Sequence, residues 1–547
     1  VKDVVIVGSG AGGGPLALAL SRAGFAVQVL EKGPEYERGD YSRDEVSSIW
    51  RGTFTPCLGD DPHVLVRAGL AAPRRSLMGW TACCVGGGTV HMGSYCSRLR
   101  PADFMLRSLY GGYEAVADWP YRYEDLEPYY TRAEWEVGVA GAAGSDPCEG
   151  PRSRPYPLPP LAANPLAAHL DAAGRRRGAR PFPTPRAINS LPYEGRPACS
   201  YCAFCAGYGC NTGAKGSVQE TLLARARATG RCEIRSHAMV REITLGPDGR
   251  ARGCVYLDEL GREQEVRARV VCVCCSAVES ARLLLLSRSA RFPDGLANDS
   301  GLVGRNLQFH ATSAGQARFD RARHQGKGFE HPNPFIGRSL MDYYFLPAGV
   351  GELPKGGMVI FRYEGIGPVL RARMLAEQGP RLVWGNELKR RLRDFYCESW
   401  TLEFEVQHDF FPNDRTYVTL DPDVVDRWGL PVARIHLDAP LHHGTAGRWI
   451  VERTLEILSE MGADELAPLY AGETASFLVH GTCRAGKDPR FAVVDPYCRA
   501  HGVPNLFVVD GSFMPTSGGV PPTLTILANS FRTADHIIAQ ARSGDLC

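Results

Sequence analysis

The apolar positions of the chain change period in a readable order. Val4, Val5, Ile6 and Val7 form an unbroken apolar run, as expected of a parallel strand buried on both faces. The whole opening stretch "DVVIVGSGAGGGPLALALSRAGFAVQVLEKG" reads as strand, tight turn, helix and second strand. A comparable run, "VVCVCCSAVESARLLLLS" (270–287), predicts another buried strand feeding a helix. Upstream of it, alternating segments around the polar turns "GPDGR" and "DELGRE" predict a β-meander attached to the same sheet. Near the far end, a strand ending at Asp510 passes through a Gly/Pro-rich turn into a helix with Pro522 near its first turn. Leu524, Leu527, Ala528, Phe531 and Ala534 share the apolar face of that helix.

The first turn carries chemistry. Gly8, Gly10 and Gly13 match G-x-G-x-x-G where the first strand should end. In that pattern the first glycine permits the turn, the second lets a pyrophosphate approach the backbone, and the third allows close helix–strand packing. The helix that follows offers its N-terminal amides to phosphate. Glu31 ends the second strand, eighteen residues past Gly13. A carboxylate there suits the two hydroxyls of an adenosine ribose and repels a 2′-phosphate, which favours FAD or NAD over NADP. A second glycine-rich loop, "CCVGGGTVHMGSYCSRLRPADF" (83–104), follows further along.

Composition narrows the class without changing this picture. With 547 residues the chain is long enough for two to four structural units. Charged residues make up 22% and the formal charge is +2, with both signs mixed, so no basic stripe for nucleic acid is present. The short run "GRRRGAR" does not make one. No apolar run approaches the roughly 18–20 residues of a membrane span. The sequence enters its first strand with no leader in front of it, so its 18 cysteines are expected in the reducing cytoplasm.

Taken together, these blocks resemble the glucose–methanol–choline (GMC) family of FAD-dependent oxidoreductases, closest to the branch that oxidises sugars, gluconate and pyranoses. The resemblance spans nearly the whole chain. It covers the N-terminal fingerprint, "GGGTVH", "DWPYRYEDLEPYY" (118–130), "CEIRSHAMVREI" (232–243), "LVGRN" (302–306), "DRWGLPVARI" (426–435), "HGTCRAG" (480–486) and "NLFVVDGSFMPTSGG" (505–519). It implies an α/β chain, α+β overall, with a Rossmann-like FAD-binding domain assembled from residues 1–104, 210–310 and 478–547. A substrate domain on an antiparallel sheet is expected over 311–477, and a flap or insertion over 105–209. Carried over by position, Gly8, Gly10, Gly13 and Glu31 would hold the ADP half, and Gly87 and Gly88 would pass close to the flavin. Val240 would meet the adenine through its backbone, and Asp510 would sit near the ribityl and pyrophosphate. The helix starting near Pro522 would aim its dipole at the flavin pyrimidine edge. His91 matches a histidine that some pyranose-oxidising relatives bond covalently to flavin and others leave unbonded.

The active-site segment departs from the family pattern. The usual H-x-x-G-T motif places a histidine three residues before the glycine, and Asn-Pro or a second His opens the last helix. Here Leu478 stands at the first position, His480 immediately precedes Gly481, and Pro521 occupies the second. Two readings follow. Residues 478 and 480 of an extended strand share a face, so His480 supplies the base that alcohol oxidation needs. Otherwise His480 is structural and the base comes from elsewhere, with His408, His436, His442, His443, Glu403 and Glu405 as candidates. The resemblance implies hydride transfer from a hydroxyl of a polyhydroxylated substrate (sugar, cyclitol or aminosugar) to FAD, with electrons passed to an external acceptor or O2. A redox-neutral lyase or isomerase retaining FAD structurally, or an electron-transfer flavoprotein, is the alternative.

One stretch stands apart, "ACSYCAFCAGYGCNTGAK" (198–215). Cys199, Cys202, Cys205 and Cys210 are spaced C-x2-C-x2-C-x4-C, one residue longer at the end than the bacterial ferredoxin run. Zinc usually takes two separated pairs, and structural disulfides are disfavoured in a reducing compartment. An iron–sulfur cluster, zinc and unliganded packed thiols are the three readings. Within the family, some sugar dehydrogenases hold a three-iron cluster in the corresponding region.

Overall fold

The computed structural model describes residues 1–362, 367–377, 381–439, 441–470 and 475–545. Its nucleotide-side sheet is built as the apolar runs predict. Strand β1 (Lys2–Val7) lies between β2 (Val27–Leu30) on one side and the end of a long strand on the other, parallel to both. Helix α1 (Gly13–Arg22) connects β1 to β2. Val4, Val5 and Ile6 are wholly buried, since helices cover both faces of a parallel sheet. Strand β3 (Cys232–Arg235) extends the sheet beyond β2. The meander follows as β4 (Met239–Leu245), β5 (Ala251–Leu257) and β6 (Glu263–Val273). The first part of β6 pairs antiparallel with β5, and its second part pairs parallel with β1. A short strand, Leu506–Val508, completes the sheet on the other side of β6. Helix α2 (Ala277–Leu286) leaves β6 through Ser276, a non-glycine residue at φ 80°.

The second sheet is antiparallel. Its spine is β7 (Arg305–Asp320), sixteen residues long, whose second half alternates buried and half-exposed positions. Strand β8 (Gly357–Arg362) pairs with β9 (Ser399–His408), and β9 pairs with β7 from Ala311↔His408 to Asp320↔Ser399. Strand β10 (Ala475–Thr482) joins the other edge of β7 with irregular register on both sides of the Gln308↔His480 pair. Helix α3 (Leu441–Glu460) covers this sheet, with Ala446, Ile450 and Val451 in its apolar core. The 105–209 segment lends the sheet a two-residue strand, Phe182–Pro183. A third, four-stranded sheet sets His63–Arg67 beside Pro431–Leu437 and so ties early and late parts of the chain together.

Helix α4 (Thr523–Ser543) packs against α1 and against the helix Tyr123–Val137. Leu524, Leu527, Ala528, Phe531 and Ala534 are all buried, which is the apolar face read from the sequence. Pro522 is its N-cap residue, where a missing N–H costs nothing. No helix among the described residues is long and apolar enough to cross a membrane.

Candidate active site

Where β1 ends, the chain must turn within one residue against the end of β6. Gly8 does so at φ +97°, and a Cβ there would stand 2.3 Å from the Cys274 carbonyl oxygen. Gly13 packs as closely, since its Cβ would lie 2.1 Å from the Gly8 oxygen. Gly10 instead faces open space, with nothing nearer to a Cβ than Gly87 Cα at 3.7 Å. Both glycine-rich loops therefore touch at Gly10 and Gly87, where a Cβ on Gly87 would stand 2.8 Å from Gly10 Cα, and the gap for a ligand lies beside that contact.

The gap belongs to a cavity of about 200 Å³. One end is polar. Glu31 Oε2 accepts hydrogen bonds from Ser9 N (3.1 Å) and Ser9 Oγ (2.6 Å), and Oε1 accepts from Gly33 N at 3.0 Å. Burial pushes the Glu31 carboxyl above its ordinary value, against the pull of those donors. Val240, with Ala238 and Met239, lines the same region. Asp510 accepts from Ser512 N at 2.8 Å and Ser276 N at 3.2 Å, and it also bonds the Ser280 hydroxyl. The other end is apolar, walled by Met92, Leu478, Val479, Pro522 and Ile526, with Gly87 and Gly88 opposite. Pro522 and Thr523 put the N-terminus of α4 on this wall, where its amides and dipole favour negative charge.

Of the residues singled out in the sequence, Gly8, Gly10, Glu31, Gly87, Gly88, Val240, Asp510 and Pro522 line this one cavity. Gly13 supports it from behind. His91 and His480 are not on its wall. The His91 ring stacks on Phe54 (centroids 5.3 Å apart, planes 2° apart), and its Nε2 lies 2.9 Å from the Thr81 oxygen. Burial pushes this imidazole down to about 4. His480 is wholly buried, 4.8 Å centroid to centroid from the equally buried His310 of β7. Neither ring nitrogen of either histidine makes a hydrogen bond of normal geometry to a described residue. Burial holds His310 near 4 and His480 well below the ordinary histidine value, so both are neutral at pH 7. Leu478 holds the cavity position that His480 does not.

The structure adds a charged group that spacing alone does not reveal. Lys32, next to Glu31, contacts Asp61 and lies 3.3 Å from Glu279. Glu279 also receives His63 Nε2 and Arg282 Nη1, each at 3.2 Å, and Arg282 Nη2 reaches Asp426 at 2.6 Å. Burial pushes Glu279 up, but Arg282 and Lys32 outweigh it and hold the carboxyl well below its usual range. Lys32, Glu279 and Arg282 all line the cavity near Val240. Their only sequence signal is a cluster of charge beside otherwise apolar runs.

Residues 199–210 form a separate site. All four cysteines line a second cavity of about 20 Å³, together with Arg43 and Lys215. The buried Lys215 Nζ donates to Cys205 O (2.7 Å), Tyr208 O (2.8 Å) and Val90 O (3.1 Å). Cys199 Sγ accepts from Tyr201 N at 3.3 Å, and Cys210 Sγ lies 3.3 Å from Thr212 Oγ1. Tyr201 and Ala203, flanking Cys202, sit at φ 54° and 70°, in the left-handed region that disfavours side chains. Among the described residues no group of three or more His, Cys, Asp or Glu is arranged to hold a metal ion. The iron–sulfur reading of the spacing therefore finds no support in this arrangement.

Known proteins place the cavity in context. Family models described as GMC oxidoreductase match residues 23–312 and 412–530. Paromamine 6'-oxidase of Streptomyces fradiae is 34% identical over 553 residues, covering 100% of this chain and 92% of that protein. The 6'''-hydroxyparomomycin C oxidase of Streptomyces lividus is 33% identical, with 98% and 92% covered. A 2-methyl-1,2-propanediol dehydrogenase of Mycolicibacterium austroafricanum is 31% identical, with 98% and 95% covered. Among solved structures, pyridoxine 4-oxidase from Mesorbium loti superposes with TM-score 0.64 at 21% identity, over 98% and 99% of the two chains. A formate oxidase of Aspergillus oryzae RIB40, studied for its FAD modification, superposes with TM-score 0.67 at 16% identity, over 100% and 99%. The glycine cradle, the Glu31 carboxylate and the helix end fit FAD, and the chain belongs to the GMC oxidoreductases, flavin enzymes that act on alcohol groups.

Proposed function

We propose that this protein oxidises one hydroxyl-bearing carbon of a polyhydroxylated small molecule, a sugar, cyclitol or aminosugar, and passes the electrons to O2 or an external acceptor. The observation that carries the reading is the continuous cavity from the Glu31 carboxylate to the N-terminus of α4. The two aminosugar-type oxidases among its relatives favour the aminosugar branch. When bound, FAD supplies the two-electron hydride acceptor.

In this reading Glu31 would accept hydrogen bonds from the ribose hydroxyls, the Gly8–Gly13 turn and the α1 amides would hold the pyrophosphate, and Val240 would meet the adenine. Asp510 would hold the ribityl region, and Gly87 and Gly88 would leave room for the ring. The α4 N-terminus favours negative charge at the ring's polar edge. FAD would be held without a bond to His91, whose Nε2 lies 2.9 Å from the Thr81 carbonyl oxygen. His480 takes the hydroxyl proton. Its neutral imidazole and its place on β10, directly after the wall residues Leu478 and Val479, support that role. Anaerobic mixing with a panel of sugars, cyclitols and aminosugars tests the whole reading, because an oxidised substrate bleaches the flavin absorption.

Leu478 and Pro521, standing where the family pattern has polar partners, favour a second reading. In it the flavin is structural and the reaction is a redox-neutral elimination or isomerisation. Product formation with no bleaching would select it.

A further inference from the structure

The four-cysteine loop is absorbed by neither reading, yet it is built for chemistry. Its thiols share one cavity about the size of a water molecule. Burial pushes the Cys199 thiol up to about 11, whereas at Cys210 burial is outweighed by hydrogen bonding at Thr212 and by the charge of Lys215, which hold that thiol below its ordinary value. The cavity wall also carries Arg43 and Lys215, and the Thr212 hydroxyl lies 3.3 Å from Cys210 Sγ. Nearby cations and hydroxyl donors favour the thiolate, the form that attacks peroxides. Cys254 and Cys272 have none of these features, being sealed in the core with apolar neighbours.

We propose that the 199–210 loop is a peroxide-oxidised dithiol site. The Cys210 thiolate attacks one oxygen of hydrogen peroxide, the O–O bond breaks, and hydroxide leaves, giving the sulfenic acid. A second thiol of the same cavity then attacks that sulfur, forming an S–S bond and releasing water. Two thiols lose two electrons, and the peroxide is reduced to two waters.

The loop is wired to the flavin cavity. Gly207 N donates to His91 O at 2.8 Å, and Lys215 bridges the Cys205 and Tyr208 carbonyls to that of Val90. Residues 88, 89 and 92, on either side of Val90 and His91, line the main cavity. Drawing Cys210 onto a neighbour shifts the carbonyls that Lys215 holds, and with them the wall beside the flavin ring. Oxidation therefore loosens the cofactor.

The test uses the full-length FAD-loaded protein, treated with hydrogen peroxide, alkylated and mapped by mass spectrometry. The expected result is loss of two alkylatable thiols from the 199–210 peptide, with a mass lower by two hydrogens and full recovery in dithiothreitol. Flavin release, followed by its fluorescence, should rise several-fold in the oxidised protein. Cys210→Ser should keep its remaining three thiols alkylatable, while Cys397→Ser, at an exposed site elsewhere, should behave as the wild type. The wild-type map stands by itself if Cys210→Ser fails to fold. Unchanged thiols, oxidation that stops at sulfinic acid, or stoichiometric iron or zinc in the purified protein would each overturn the proposal. A disulfide that leaves flavin release unaltered would overturn the coupling.

Discussion

Replacing His480 with leucine separates a catalytic histidine from a core histidine. In the protein His480 and His310 lie ring to ring at 4.8 Å, fully buried and without well-formed hydrogen bonds. A buried polar group without a partner costs about 1–3 kcal/mol. Leucine has no such group to satisfy, and misfit in a packed site returns about 1 kcal/mol of that gain. His480→Leu should therefore stabilise the protein by up to about 2 kcal/mol, read as a higher urea midpoint at unchanged slope. If His480 accepts the substrate proton, the same change should slow anaerobic flavin reduction by about 10²- to 10⁴-fold. Both should appear in one variant, greater stability and slower reduction. A rate within twofold of the wild type would refute the base assignment. A clear loss of stability would show that the imidazole is satisfied in solution and would refute the energetic argument.

Glu31→Ala removes acceptors that carry a buried charge, and should weaken FAD binding about 10- to 100-fold by the worth of about 1.5–3 kcal/mol for such bonds; equilibrium dialysis against FAD checks it. Gly8→Ala forces a Cβ to 2.3 Å from the Cys274 oxygen at a left-handed φ, and should yield little folded protein, seen as insoluble expression. Lys355 is fully buried, 2.6 Å from Asp103 and 3.4 Å from Asp409. Lys355→Met leaves those carboxylates unpaired and should cost about 3–5 kcal/mol in chemical denaturation. His91, His310 and His443 are pushed down to about 4 and His408 and His480 lie well below their ordinary value, all through burial. Below pH 6.5 the unfolded chain binds protons that the folded one refuses, so stability should fall from pH 6.5 toward 4, by about 1.4 kcal/mol per pH unit for each histidine. A flat profile across that window would contradict the burial of these rings.

The sequence was most legible where one physical requirement fixes one residue type. An unbroken apolar run needs a strand covered on both faces, and β1 is one. A one-residue turn against a carbonyl needs glycine, and Gly8 provides it. Glu31, Asp510 and Pro522 each close an element, so their places in the cavity followed from where the elements end. His480 was harder. Alternation along an extended strand predicts that residues 478 and 480 face alike, but β10 meets β7 with register shifts on both sides of His480. Leu478 and Val479 reach the cavity and His480 does not. The Lys32–Asp61–Glu279–Arg282–Asp426 group was not legible, because its members come from distant segments that the three sheets bring together. The thiol loop shows the reverse case, with a compact sequence signal whose meaning depends on which way backbone turns at Tyr201 and Ala203 point the sulfurs.

Strand β7 has a consequence for how substrate arrives. At about 3.3 Å per residue its sixteen residues run roughly 50 Å without a break. One half is bonded to β10, whose Leu478 and Val479 line the cavity, and the other to β9 of the same sheet. A beam of that length leaves no hinge between the cavity wall and the rest of the antiparallel sheet. Admission and release of substrate are therefore the business of the loops at the cavity rim. Changes in substrate range in this protein and its kin should be sought in those loops.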